Sequence, residues 1–173
     1  IIIFVVAVSL IKAQYYIDQL QMLKHPEGGW YKETYRSFGS ISEPDCFDGK
    51  RSYSTGIYFL LTKDNFSAFH RIKSDEMWHF YAGDGLTIHE LKTDGSYVKH
   101  QLGLDLENGE QPQLVIAAKS WFASEVKKGE SWCLVGCTVS PGFDFEDFEM
   151  ADSATLGENF APMIGLINRL TRN

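Results

Sequence analysis

From Trp30 onward the chain is cut into short runs rich in β-branched and aromatic residues, each closed by a turn signal. WYKETYRS alternates, with Tyr31, Glu33 and Tyr35 on one face and Trp30, Lys32, Thr34 and Arg36 on the other. SFGSISEPDCFDGKR is loop-like. SYSTGIYFLLT, FSAFHRI and MWHFYAG then read as strands, and GLTIHELKTDGSYVKHQLG as a hairpin about Asp94–Gly95. PQLVIAAKSWFASEV, ESWCLVGCTVS and FDFEDFEM supply more, with PGF at Pro141 to Phe143 a sharp corner between the last two. The total is roughly nine or ten short strands, a pattern that closes as a sandwich or barrel, jelly rolls included.

Small helices flank the strands. Tyr16, Ile17, Leu20 and Leu23 lie at helical spacing, and HPEGG should stop that helix because Pro26 disfavours helix before it. Met163, Leu166, Ile167 and Leu170 predict a second helix within Glu158 to Arg172. In FDFEDFEM, strand alternation puts Phe143 and Phe145 on one face and Phe148 on the other. It scatters Asp144, Glu146, Asp147 and Glu149, which excludes a metal cluster there.

Residues 14–173 make one domain, a length that suits a single core. Residues 1–13, IIIFVVAVSLIKA, stand apart. Their apolar run is too short to span a bilayer as a helix, so no stable membrane span is expected. The segment reads as a secretory-signal remnant, a buried strand or an artefact of expression. The expected location is the cytoplasm, or outside the cell if the segment is a signal remnant. The formal net charge of −7 argues against a nucleic-acid polymer as partner but not against one small nucleotide. Cys133 and Cys137, four apart on a strand, lie roughly 13 Å from each other and cannot form a disulfide. Buried reduced thiols are expected.

The stretch His70 to Gly83 resembles the first motif of the cupin superfamily, H-x-H-x-x-x-E followed by six residues and a glycine. His70, Glu76 and Gly83 fall on the motif, and Ile72 takes the place of the second histidine. The second motif, P-x-G-x-x-H, maps to AAKSWF, with Ala117, Lys119 and Phe122 in place of proline, glycine and histidine. HPEGGWYKETYRS, FHRIKSDEMWHFYAGD and VGCTVSPGFDFEDFEM together resemble the Cupin 5 family, once called domain of unknown function 985, over about Tyr16 to Met150. The resemblance implies an all-β double-stranded β-helix (jelly-roll, cupin barrel) with short flanking helices. It also implies a homodimer, and leaves the activity open.

The resemblance implies a four-ligand metal site of which only His70 and Glu76 remain. Ile72 and Phe122 cannot ligate, and His79, three residues from Glu76 on a strand, faces the other way. No metal and no cofactor are therefore expected. His70 and Glu76 stay as an inward polar pair for hydrogen bonding or acid–base work. Tyr31, Glu33, Arg36, Tyr58, Arg71, Trp78 and Phe122 join them as candidate ligand contacts, Arg36 and Arg71 as partners for phosphate or carboxylate. The aromatic content, 14% of residues, suits a pocket that stacks a ring. The expected function is binding of a small sugar, nucleotide or nucleotide-sugar ligand. The alternatives are a metal-independent sugar isomerase or epimerase, in which His70 is the base and Glu76 orients it, and a weak-metal enzyme.

Overall fold

A computed structural model describes residues 2–127 and 131–172. A helix, α1 (Ile2–Gln19), precedes β1 (Leu23–Lys24), β2 (Trp30–Arg36), β3 (Ser40–Ile41), β4 (Arg51–Ser52), β5 (Thr55–Thr62) and β6 (Phe66–Arg71). Next come β7 (Asp75–Gly83), β8 (Leu86–Leu91), β9 (Tyr97–Leu102), β10 (Gln113–Ile116), β11 (Trp121–Val126) and β12 (Trp132–Ser140). The chain ends with β13 (Glu149–Met150) and the helices α2 (Ser153–Asn159) and α3 (Ile164–Arg169).

The strands form two main antiparallel sheets, β1-β2-β5-β12-β7-β10 and β13-β6-β11-β8-β9, with β3-β4 as a small separate pair. Apart from β1-β2 and β8-β9, neighbours in the two main sheets are not consecutive in sequence, so the sheets close over one another rather than meander. Between them, Phe59, Trp78, Ile88, Ile116, Phe122 and Val135 are buried, supplied by the inward positions of both sheets. The C-terminal helices cover the outer face of β6 and β11, where Phe69, Ala123, Leu156, Ile167 and Leu170 pack together. The other sheet is partly covered by α1 through Ala13 and Ile17, which meet Leu60, Trp132 and Leu134.

Three local expectations are corrected. The first helix begins well before Gln14 and stops short of Leu23. Gln21 takes a left-handed φ of 53°, Gln21 N–H bonds Asp18 O, and Met22 N–H bonds Ile17 O at 2.9 Å. This is a Schellman ending, so a local hydrogen-bond pattern stops the helix before Pro26 can. Leu23 is left exposed in β1. The stretch FDFEDFEM is not one strand: Phe145–Asp147 is a 3-10 turn, capped where the Asp144 side chain accepts from Glu146 N–H, and only Glu149–Met150 pairs with β6. In β2, the register with β5 slips between Glu33 and Tyr35, a bulge that returns Arg36 to the face of Glu33.

The motif glycine positions have backbone reasons. Gly83 has φ 88°, and a side chain there would run into the Trp132 carbonyl. Lys119, at the place of the second motif's glycine, keeps the left-handed backbone, with φ 67°. None of the described helices is long and apolar enough to cross a membrane. Cys133 and Cys137 are buried and unpaired, whereas Cys46 is unpaired and exposed.

Candidate functional site

One cavity of about 250 Å³ opens between the sheets beside the 143–148 segment. Three parts of the chain build it. The inward positions of β5, β7 and β12 give the floor: Ile57, Phe59, Glu76, Trp78 and Cys137. The turn between β1 and β2 brings His25 and Glu27. The 3-10 turn swings Phe145 and Phe148 to the same side as Phe143, so all three rings line the cavity as a strap. The strand-based expectation that Phe148 faces away from the others fails because a 3-10 turn repeats every three residues, not every two.

HPEGG supplies the centre of the site. Gly28 N–H bonds His25 O and His25 N–H bonds Gly29 O, both at 3.0 Å, closing a tight loop. Gly28 has φ 116°, and a Cβ there would collide with the Phe66 carbonyl. Only glycine allows this close approach to β6. The loop holds Glu27 against β6, where Ser67 Oγ donates to Glu27 Oε1 at 2.8 Å. Glu27 Oε2 lies 3.3 Å from His25 Nδ1 and 3.2 Å from His70 Nε2.

The His70 ring is fully engaged. Its Nδ1 is 2.7 Å from Ala68 O. A carbonyl oxygen can only accept, so that nitrogen carries a hydrogen. The Nε2 of His70 faces Glu27 Oε2 at 3.2 Å, an ion pair whenever the imidazole is protonated. Burial acts to raise the Glu27 carboxyl, but His70, His25 and Ser67 outweigh it and hold Glu27 below the usual carboxylate range. Burial pushes the His70 imidazolium down, against the attraction of Glu27. The two titrate as a unit.

Glu76 behaves oppositely. Burial, reinforced by the negative charge of Glu27, pushes its carboxyl up to about 8, with Cys137 and Trp78 pulling the other way. The Trp78 indole N–H favours a charge on Glu76, yet it has no hydrogen-bond partner among the described residues. Among the buried carboxyls of the cavity, the surroundings thus favour the charged form of Glu27 and the neutral form of Glu76.

At the mouth, Arg36 grips Glu33 through two hydrogen bonds of 2.9 and 2.7 Å and donates to Phe143 O at 3.1 Å. It thereby ties β2 to the aromatic strap. Behind the strap, Arg51 binds Asp147 in bidentate fashion at 2.7 and 2.9 Å, and both side chains are buried.

Of the residues singled out from sequence, Tyr31, Glu33, Arg36, His70, Glu76 and Trp78 line this cavity. Tyr58, Arg71 and Phe122 do not. Tyr58 points to the opposite face of its sheet, against Tyr81 and the residues under α1. Arg71 stacks on Trp121 and pairs with Glu149 on the outside. Phe122 lies beneath the cavity, 4.1 Å from the His70 ring and edge-on to Trp78, so it fills the core where the motif has a histidine. His79 faces away from the cavity, bonded to Thr138 and Gln113. His70 and Glu76 share the cavity, but the carboxylate that meets His70 is Glu27. His25, Glu27 and the strap were not among the sequence candidates. The signal was present in HPEGG, where a His and a Glu two apart flank a proline ahead of two glycines.

The fold family's metal site does not fit these residues. Ile72 and Phe122 occupy two ligand places, and His25 and His70 both meet the same oxygen of Glu27. Among the described residues no group of three or more His, Cys, Asp or Glu side chains could hold a metal ion.

The family model described as "Cupin superfamily (DUF985)" matches residues 14–151. An uncharacterised protein of Saccharomyces cerevisiae is 33% identical over 146 residues, covering 78% of this chain and 72% of the yeast protein. A hypothetical protein from Leishmania major superposes with a TM-score of 0.87 at 33% identity, over 93% of this chain and 99% of that one. A Shewanella oneidensis protein of known crystal structure gives 0.84 at 38% identity, over 92% and 97%. An oxalate decarboxylase from Lactobacillus farciminis, at 13% identity and a TM-score of 0.52 over 89% of this chain and 42% of that one, shares the fold alone. The barrel, the motif glycine Gly83 and the family match together make this chain a member of the Cupin 5 family of the cupin superfamily.

Proposed function

We propose that this chain binds an uncharged, polar small molecule in the cavity beneath the aromatic strap, a monosaccharide or a nucleoside fragment being the class that suits it. The supporting observation is the lining: apolar and aromatic walls around a few buried polar groups, His25, Glu27, His70 and Glu76. Sugar and base rings both stack on such walls, and the polar groups set orientation. At about 250 Å³ the space is small, so a complete nucleotide-sugar has to extend past Glu33 and Arg36 at the mouth. A thermal-shift screen across monosaccharides, nucleosides and nucleotide-sugars tests this. A ligand at 100 times its Kd stabilises the fold by about 2.7 kcal/mol. Absence of any shift at millimolar concentrations overturns the reading.

A second reading, a metal-independent sugar isomerase or epimerase, is favoured by one observation. Two buried carboxyls in one cavity are driven in opposite directions, which is how acid and base roles are separated at neutral pH. A weak-metal enzyme has less support, because His70 and Glu76 alone give too few ligands.

We further propose a homodimer. The outer face of the six-stranded sheet beyond α1 exposes Met77, Tyr81 and Val115, and Phe38 is entirely exposed. Symmetric pairing would cover such a face. Light scattering that gives a monomer mass across a wide concentration range overturns this. Three unpaired cysteines suit the cytoplasm, where thiols stay reduced.

A further inference from the structure

Arg36 and Asp144 border two spaces: the cavity beneath the strap, and a second recess of about 300 Å³ beside it. They are the only residues that line both, so they stand at the junction. The small β3-β4 pair and the loop before it build the recess. Ser40 and Ser52 stand opposite each other in that pair. Phe38 lies on the loop, and both of its neighbours are fastened. Ser37 N–H bonds Ser54 O at 2.9 Å, and Gly39 O accepts from Tyr53 N–H at 3.0 Å. The backbone on either side of Phe38 is thus held, while its ring is wholly exposed at the edge of the recess. Such a ring adds nothing to the core and offers a flat apolar face for stacking.

The polar groups of the recess are of both kinds. Arg36 gives Nε and Nη2 to Glu33 and Phe143 O, and its Nη1 has no acceptor among the described residues. Lys50 Nζ and the hydroxyls of Ser40 and Ser52 have no partner among the described residues either. Asp144 uses Oδ1 to accept from Glu146 N–H at 2.9 Å, and its Oδ2 has no donor among the described residues. Arg51 also borders the recess, but its N–H groups go to Asp147 and to the Asp48 and Lys50 carbonyls. Arg36 is paired with Glu33 and Arg51 with Asp147, and the remaining cation, Lys50, is offset by Asp144. No net positive charge is left for a phosphate, on a chain whose own formal charge is −7. Free donors beside a free carboxylate oxygen suit hydroxyl groups, each of which both donates and accepts.

We infer that the recess is a second sugar subsite continuous with the cavity, and that the ligand is a disaccharide or short glycoside, with one ring beneath the strap and the next against Phe38. This rests on the reading of the cavity as a site for a small polar ligand, and it selects the monosaccharide unit over the nucleoside. At about 250 and 300 Å³ the two spaces are of similar size, as consecutive rings require. Arg36 and Asp144 hold the hydroxyls nearest the glycosidic link. Glu33 acts through Arg36 and is a positioning residue.

The test is titration calorimetry with glucose, galactose, mannose and xylose, beside maltose, cellobiose, lactose, mannobiose and xylobiose. At least one disaccharide is expected to bind about tenfold or more tightly than either of its component sugars. Phe38→Ala should remove most of that gain and leave monosaccharide affinity unchanged, because Phe38 does not line the cavity. The ring is wholly exposed, so the variant should keep the wild-type urea midpoint. Lys50→Ala, a second variant outside the cavity, should cut the same gain several-fold. Monosaccharide binding with no disaccharide tighter than its components overturns the inference. So does a gain that survives both variants, or binding of nucleosides alone. Glucose 1-phosphate or UDP-glucose gaining affinity where no disaccharide does would assign the recess to an anion, and overturns it as well. In each of these cases the cavity still binds a small polar ligand, and the reading beneath stands. No heat from any sugar or nucleoside at millimolar concentration removes both.

Discussion

Ser67 Oγ donates to Glu27 Oε1 at 2.8 Å, and this bond fastens the turn that carries the site to strand β6. Ser67 is fully buried, so no solvent can replace the hydroxyl if it is removed. A hydrogen bond to a charged group is worth about 1.5–3 kcal/mol. Ser67→Ala is expected to lose about 2 kcal/mol, read as a lower urea midpoint at unchanged slope. An unaltered midpoint would show that Glu27 does not depend on this bond.

Glu76 gives stability a definite pH dependence. Its carboxyl is raised to about 8 in the fold, from 4.5. The folded state therefore binds more protons than the unfolded state between these values, and stability falls as pH rises through that window. The shift corresponds to an upper limit on the order of 5 kcal/mol. Glu27 works in the opposite sense: its lowered carboxyl contributes stability that is lost as pH falls below the ordinary carboxylate range. Denaturation of wild type and Glu76→Gln from pH 5 to 9 checks this. The variant should show a flatter decline, and parallel curves contradict the assignment.

Arg51 and Asp147 form a buried, bidentate pair behind the aromatic strap. Removing one partner of such a pair strands a charge, at about 3–5 kcal/mol. Arg51→Met should cost this much in chemical denaturation. The double variant Arg51→Met with Asp147→Leu should recover a large part of it, because the stranded carboxylate is gone. No recovery would mean that the loss comes from the Arg51 bonds to the Asp48 and Lys50 carbonyls instead.

Phe145 is half exposed and stacks on His25. Phe145→Ala should change stability by less than about 1 kcal/mol, since little apolar surface is lost from the core. It should weaken binding of any cavity ligand by about tenfold, the equivalent of about 1.4 kcal/mol, read by titration calorimetry. Unchanged affinity would show that the strap does not touch the ligand.

The strands were legible in the sequence because their alternation is strict where one sheet face meets the core, as in Glu76 and Trp78 against Met77 and His79. The site was legible only in part. His70 and Glu76 sit on such strands. His25 and Glu27 sit on a turn whose shape depends on how closely Gly28 approaches Phe66, a contact between residues distant in sequence. Arg36 was assigned to the wrong face because a β-bulge shifts every later residue by one, and Thr34 gives no warning of it. FDFEDFEM has the alternation of a strand, but the Asp144 side chain caps its first turn and wins locally. The extent of α1 follows from its packing on Leu60, Trp132 and Leu134, partners that periodicity does not reveal.

Arg172 reaches back to the site turn. It donates to Glu27 O at 3.1 Å and Phe66 O at 2.8 Å, and lies over the Phe66 ring at 4.2 Å. The two residues are 145 positions apart. During synthesis at about 5–20 residues per second, the turn bearing His25 and Glu27 leaves the ribosome roughly 7–30 s before the arginine that clamps it. A nascent chain carries this turn unfastened for that whole interval, until an arginine translated long after it arrives to hold it.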